Sequence, residues 1–166
     1  PTETRQDLDD LIVLIKHLEK IPQKKSALRI SVNPFIPKPH TPFQWHEIDL
    51  EHLKRDVKYL KSQLRKSNLK IDSPRMALIQ YVLSHGSSDL GDLIQRSINN
   101  KIPLKEWEKV APKWDLNSLL PWNNVDVGIK KEFLKEEYQK ALKGSLTPWC
   151  ETFGCYDCGS CLNPSQ

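Results

Sequence analysis

The stretch Pro34-Phe-Ile-Pro-Lys-Pro-His-Thr-Pro42 holds four prolines in nine residues. It limits the fold more than any other part of the chain. Each ring fixes φ and removes a backbone donor, so neither a helix nor a central strand can run through it. An extended, rigid loop is the remaining solution. Just before it, Ala27 to Asn33 alternates, with Leu28, Ile30 and Val32 on one face and Arg29, Ser31 and Asn33 on the other. That is the period of a strand. A lone strand cannot form a sheet, and the expectation is an unpaired or poorly paired strand that began in a larger domain.

The remaining periodicity is helical. Leu8, Leu11, Ile12, Ile15 and Leu18 follow three-four spacing, with Thr4 or Asp7 at the start and Ile21-Pro22 at the end. A second helix is predicted from Asp49 to Ser67, with Leu53, Val57, Leu60 and Leu64 as its buried stripe. Asn68 to Asp72 is short enough for a strand. Ser73-Pro74 opens a third helix that ends at His85-Gly86, the glycine suiting a left-handed cap. Ser88 or Asp89 is expected to cap a helix through Leu90, Leu93, Ile94 and Ile98. Short helical pieces surround Trp107 and Trp114, and Pro121-Trp122 breaks them. A last helix is predicted from Val127 to Leu142, with Ile129, Phe133, Leu134 and Ala141 inward and Gly144 as its stop. The fold class is therefore mainly α, with one or two short strands near 27–33 and 68–72.

Bulk properties exclude several classes. The chain of 166 residues is 38% hydrophobic and 28% charged, as soluble globular chains are. Its longest apolar run, Leu11 to Ile15, falls far short of a membrane span. No secretory signal pattern is present, and a cytoplasmic location is expected. With 25 basic and 21 acidic residues the net charge is +4, which gives no strong nucleic-acid signal.

All four cysteines fall in the last 17 residues, as Cys150-x4-Cys155-x2-Cys158-x2-Cys161. Disulfides there would close only tiny loops and stabilise little. Clustered thiols are instead the soft donors that zinc and iron–sulfur clusters prefer. Three cysteines at successive spacings of three are similar to a compact ferredoxin run, with Pro164 following. Structural zinc more often uses two separated knuckles. The spacing favours a cluster over zinc, and the plain alternative is free thiols on a fraying tail. All four sulfurs are expected to reach one point, with Gly154 and Gly159 permitting the turns.

Lys38, His40 and Thr41 sit in the proline loop. At the C-terminal end of a strand in an α/β barrel, a polar face leading into a loop marks the active side. An edge strand with one wet face and a surface loop explains the same pattern. His17, His46, His52 and His85 show no metal or catalytic spacing and read as structural, His85 favouring its helix C-terminus as a cation. The five tryptophans read as packing residues, with Trp45, at the end of the proline loop, as the possible exception.

The stretch from Leu28 through Pro34-Phe-Ile-Pro-Lys-Pro-His-Thr-Pro-Phe-Gln-Trp45 resembles the last barrel strand and following loop of a radical S-adenosylmethionine family, often labelled Fe–S oxidoreductases. Its members usually carry an N-terminal cobalamin-binding domain. Ser73 to Gly86, Leu120-Pro-Trp-Asn-Asn-Val-Asp-Val-Gly-Ile-Lys-Lys-Glu-Phe-Leu134 and the terminal cysteines are similar to further family segments, in the same order. The resemblance implies three parts: residues 1–46 as last helix, strand and proline-rich loop of the barrel, 47–146 as a helical extension, and 147–166 as a cysteine-rich tail. It implies that Arg29, Ser31, Asn33, Lys38, His40 and Thr41 line the active face, while Cys150, Cys155, Cys158 and Cys161 hold an accessory iron–sulfur cluster, or zinc. The family's catalytic Cys-x3-Cys-x2-Cys motif, whose four-iron cluster cleaves S-adenosylmethionine to a 5′-deoxyadenosyl radical, is not in this chain. The implied reading is thus a C-terminal part, inactive alone, with the upstream barrel of the same polypeptide as its partner and S-adenosylmethionine, with or without cobalamin, bound by the parent. A zinc-stabilised helical module that binds protein or RNA is the contrasting expectation.

Overall fold

The computed structural model describes residues 1–21 and 28–161. Pro22, Ala27 and Pro164 lie outside the described residues. The described chain is mainly α, with seven α-helices and two three-residue strands. It divides into two compact units.

One unit comprises Glu3–Ile36 and Ile48–Gln80. Helix α1 (Arg5–Leu18) starts at a capping box, in which the Asp7 amide donates to Thr4 Oγ1 and the Thr4 amide donates back to the Asp7 carboxylate. Helix α2 (Leu50–Gln63) is capped by Asp49, whose carboxylate accepts from the His52 amide at 2.8 Å. Leu8, Ile12 and Ile15 of α1 bury against Leu60 and Leu64. Each such side chain contributes about 1.5–3 kcal/mol by leaving water.

Strands β1 (Ile30–Val32) and β2 (Leu69–Ile71) pair in parallel, with Ile30 opposite Leu69 and Val32 opposite Ile71. Of the expected unpaired or poorly paired strand, the unpaired alternative is corrected: β1 has one partner, over three residues. The α2 crossover supplies the length that a parallel return needs. Ile30, Val32, Leu69 and Ile71 all pack on the α1–α2 core, whereas Ser31 and Lys70 are exposed. Alternation thus reads the strand faces correctly, and it is the pairing that strand length alone could not reveal.

The other unit comprises Pro1–Thr2, Pro37–Glu47 and Tyr81–Gln166. Helix α3 (Pro74–His85) gives its first turns to the former unit and its last to this one. Ser73 caps it as predicted, its hydroxyl accepting from the Met76 amide. Gly86 is not left-handed: the positive-φ glycines are Gly128, Gly144, Gly154 and Gly159. Glycine is required at 86 by close packing, because a Cβ there would sit 2.0 Å from Leu90 Cδ1. A 3-10 turn (Ser88–Leu90) leads into α4 (Gly91–Asn99) and is capped by Ser87, one residue before the expected caps. Leu90 and Leu93 are buried, while Ile94 and Ile98 are exposed.

Helix α5 (Leu104–Lys109) buries Trp107. Helix α6 (Lys131–Leu142) begins later than its apolar pattern suggests. The amide of Gly128, at φ +74°, donates to the Asp126 carboxylate at 2.8 Å, and Lys130 stays extended. Gly144, at φ +66°, ends α6 as expected. Trp45, Leu120 and Leu134 form a core cluster of the unit, flanked by Trp114, Leu116, Trp122 and Tyr138. Trp45 is therefore a core residue, and Trp149, 81% exposed, is the tryptophan that is not.

His85 is buried rather than a helix-end cation. Its ring stacks on Tyr81 at 4.4 Å, and its Nδ1 donates to the Tyr81 carbonyl at 3.1 Å. Burial lowers its pKa against the opposing pull of that carbonyl, and Lys38 lowers it further. The unfolded histidine, near its ordinary value of about 6.5, takes a proton before the folded one does. Stability should be full above about pH 6.5 and fall as pH drops through the depressed folded pKa. Urea unfolding between pH 8 and 5 should show this slope, and His85→Phe should reduce it.

Candidate metal centre and proline loop

The six residues expected to line an active face divide between the two units. Arg29, Ser31 and Asn33 are exposed on the side of β1 away from the α1–α2 core, as their alternation with Ile30 and Val32 requires. Leu28 is half-buried. Lys38, His40 and Thr41 belong to the other unit, where they form a tight turn. The Thr41 hydroxyl donates to the Lys38 carbonyl at 2.7 Å, and the Thr41 carbonyl accepts from the Gln44 amide at 3.0 Å. Lys38 Nζ donates to Ser84 Oγ at 3.4 Å. His40 takes a left-handed backbone, φ +57°, which is uncommon outside glycine.

What holds that turn is Gln44, a residue that sequence reasoning did not single out. It is 3% exposed. Its Oε1 accepts from the His40 amide at 3.1 Å and from Trp122 Nε1 at 2.7 Å. The available signal was a polar residue between two aromatics, Phe43 and Trp45, in the 3-10 turn Pro42–Trp45. Next to it, His46 Nδ1 lies 3.1 Å from the Tyr138 hydroxyl, and burial lowers its pKa.

The cysteine segment begins with one helical turn, α7 (Cys150–Phe153). Upstream of it, the Thr147 hydroxyl reaches the Glu137 carboxylate of α6 at 2.7 Å, and Lys140 joins the same pair. Beyond α7 the backbone is left-handed at Gly154 (φ +97°), Asp157 (φ +52°) and Gly159 (φ +88°), once between each successive pair of cysteines. The Asp157 amide points at Cys155 Sγ, 3.3 Å away. The Lys130 amide donates to the Cys158 carbonyl at 2.8 Å, and Lys130 Nζ pairs with the Asp157 carboxylate at 2.6 Å. Gly159 abuts the same stretch, where a Cβ would lie 2.7 Å from the Gly128 carbonyl oxygen.

All four thiols are free; Cys158 is half-buried and the others are exposed. Among the described residues no three or more His, Cys, Asp or Glu side chains are gathered as metal ligands. The donor set is of the chemical type that a soft metal or cluster takes, but the described geometry does not bring the four sulfurs to the one point expected. The set offers four unpaired thiols, a turn between each pair, and a backbone N–H on one sulfur, the type of contact that tunes thiolate ligands.

No family model matches the chain, and no solved structure matches it. Over 101 residues it is 37% identical to an uncharacterized protein of Methanocaldococcus jannaschii. The match covers 60% of this chain and 22% of the relative, so the chain spans about a fifth of that protein's length.

Gln44→Leu should cost about 1–3 kcal/mol, because it strands the Trp122 and His40 donors, whereas Gln44→Glu keeps an acceptor and should cost less. Denaturant unfolding followed by tryptophan fluorescence measures both.

Proposed function

We propose that the chain is the C-terminal part of a radical S-adenosylmethionine iron–sulfur enzyme, supplying one wall of the active site and an accessory metal centre at Cys150, Cys155, Cys158 and Cys161. The observation that carries this reading is the parallel β1–α2–β2 unit. Parallel strands occur almost entirely in α/β folds whose sheets are covered on both faces. Here one face lies on α1 and α2, while Ser31 and Lys70 leave the other polar and open. In a closed barrel that open face turns inward, and the loop after the strand reaches the active side. Arg29, Ser31 and Asn33 then face the lumen, with Lys38, His40 and Thr41 in the loop that follows.

The residues of this chain would bind and orient substrate rather than generate the radical. The Cys-x3-Cys-x2-Cys ligands belong to the upstream part of the parent polypeptide, as do S-adenosylmethionine and any cobalamin. A thiolate-bound cluster at the C-terminal loop would supply electron transfer. Reduced thiols fit a cytoplasmic location.

The coding sequence upstream of Pro1 should encode a Cys-x3-Cys-x2-Cys triplet following a strand. A start codon at Pro1 instead would favour the zinc-stabilised module that binds protein or RNA. Anaerobically purified chain should be brown and hold iron and sulfide, and Cys158→Ala should abolish this. Colourless protein with about one zinc per chain identifies a structural knuckle. If neither metal binds the reduced thiols, the accessory centre is ruled out.

A further inference from the structure

A cavity of about 240 Å³ opens beside the proline-loop turn. It is smaller than the roughly 300–1,000 Å³ that drug-sized ligands occupy, so it suits one ring system with its substituents. Its floor is prearranged. The Trp122 indole is fixed by its bond to Gln44 and by edge contacts to His85 at 5.3 Å and Trp114 at 6.5 Å. Asn123, Asp126 and Lys131 line the cavity; Asn123 carries a donor and an acceptor, while Asp126 Oδ1 already accepts from the Gly128 amide at 2.8 Å and Lys131 Nζ donates to the Ser118 carbonyl at 3.2 Å. Val125, Val127 and Ile129 also line it and are 37–53% exposed, which leaves an apolar rim open to a ligand. An aromatic plane, aliphatic walls and paired donors and acceptors are the means by which proteins read flat heterocycles.

The wall of this cavity has a second side. Val127, Ile129 and Lys131 line the cavity. The intervening residues, Gly128 and Lys130, hold the cysteine loop: the Lys130 amide bonds to the Cys158 carbonyl, Lys130 Nζ pairs with Asp157, and the Gly128 carbonyl packs on Gly159. A backbone rearrangement of the cysteine loop at Asp157–Gly159 would remake its contacts with residues 128 and 130, which lie between the lining residues 127, 129 and 131.

We propose that this cavity binds a flat, hydrogen-bonding heterocycle of nucleobase size, and that residues 127–131 link its occupancy to metal capture by the cysteine loop. The linkage rests on the metal reading above, while the cavity itself does not. Linkage between two sites is reciprocal, so each ligand must change the other's affinity by the same factor.

The test titrates the reduced chain with adenosine, read by tryptophan fluorescence, and with cobalt(II), read by its thiolate absorption. Adenosine should bind saturably, and Asn123→Ala should weaken it. Saturating adenosine should change cobalt affinity about tenfold, and cobalt should change adenosine affinity equally. Lys130→Pro removes the amide donor at a φ of −67° that proline adopts. This variant should still bind each ligand but bring the linkage factor toward one. Saturable adenosine binding with a wild-type factor of one would overturn the linkage. Absence of saturable adenosine binding would overturn the whole proposal. Failure of cobalt to bind while adenosine binds would overturn the accessory metal centre and the linkage, and would uphold the cavity.

Discussion

One oxygen atom organises the larger of the two units. Gln44 Oε1 accepts from the backbone at His40 and from the Trp122 indole, which lies 78 residues further along the chain. Both donors would otherwise lose water without a partner, and an unpaired buried donor costs more than a made hydrogen bond gains. The same atom therefore closes the left-handed turn of the proline loop and sets the plane of Trp122. Trp122 in turn packs with Trp114 and on the core of Trp45, Leu120 and Leu134. Once Trp122 is fixed, the segment that follows it has one course, through the Asp126 cap and Gly128 to the start of α6.

That course explains how the cysteine loop is placed. Lys130 is the last extended residue before α6, so its amide has no partner within the helix. It finds one in the Cys158 carbonyl. A helix N-terminus that would otherwise need a side-chain cap is closed by the loop that carries the thiols. Glycine at 159 is demanded twice, by its positive φ and by the nearness of the Gly128 carbonyl. The loop is thus docked through backbone contacts at one end and through the Thr147–Glu137–Lys140 group at the other. Its thiols stay free for another ligand.

The secondary structure was legible because its signals are local. Thr4, Asp49 and Ser73 cap the first three helices, and alternation at Ile30 and Val32 identifies the buried strand face. What was not legible depended on distant partners. The pairing of β1 with β2 is set by the helix between them, and nothing in either three-residue strand encodes it. The glycine at 86 reads as a helix stop, yet its need comes from Leu90 in the next element. His85 reads as a helix-end cation because the aromatic rings of Tyr81 and Trp122 that enclose it arrive from the previous turn and from elsewhere in the chain. Of the candidate site, the cysteine spacing was plain, whereas Gln44 was hidden because one glutamine between aromatics carries no pattern.

The two chemically distinctive features of the sequence, the proline loop and the cysteine tail, are joined in one unit by the segment between Leu120 and Leu134. On one side this segment meets the proline-loop turn through Trp122, and on the other it meets the cysteine loop through Gly128 and Lys130. Most of its residues are exposed, and it forms little regular structure before α6. Burial alone would therefore not preserve its conformation. Specific hydrogen bonds at Trp122, Asp126 and Lys130 do so instead, each satisfying a backbone or indole donor. A connection built from discrete bonds rather than a packed core can change its arrangement when one bond is remade.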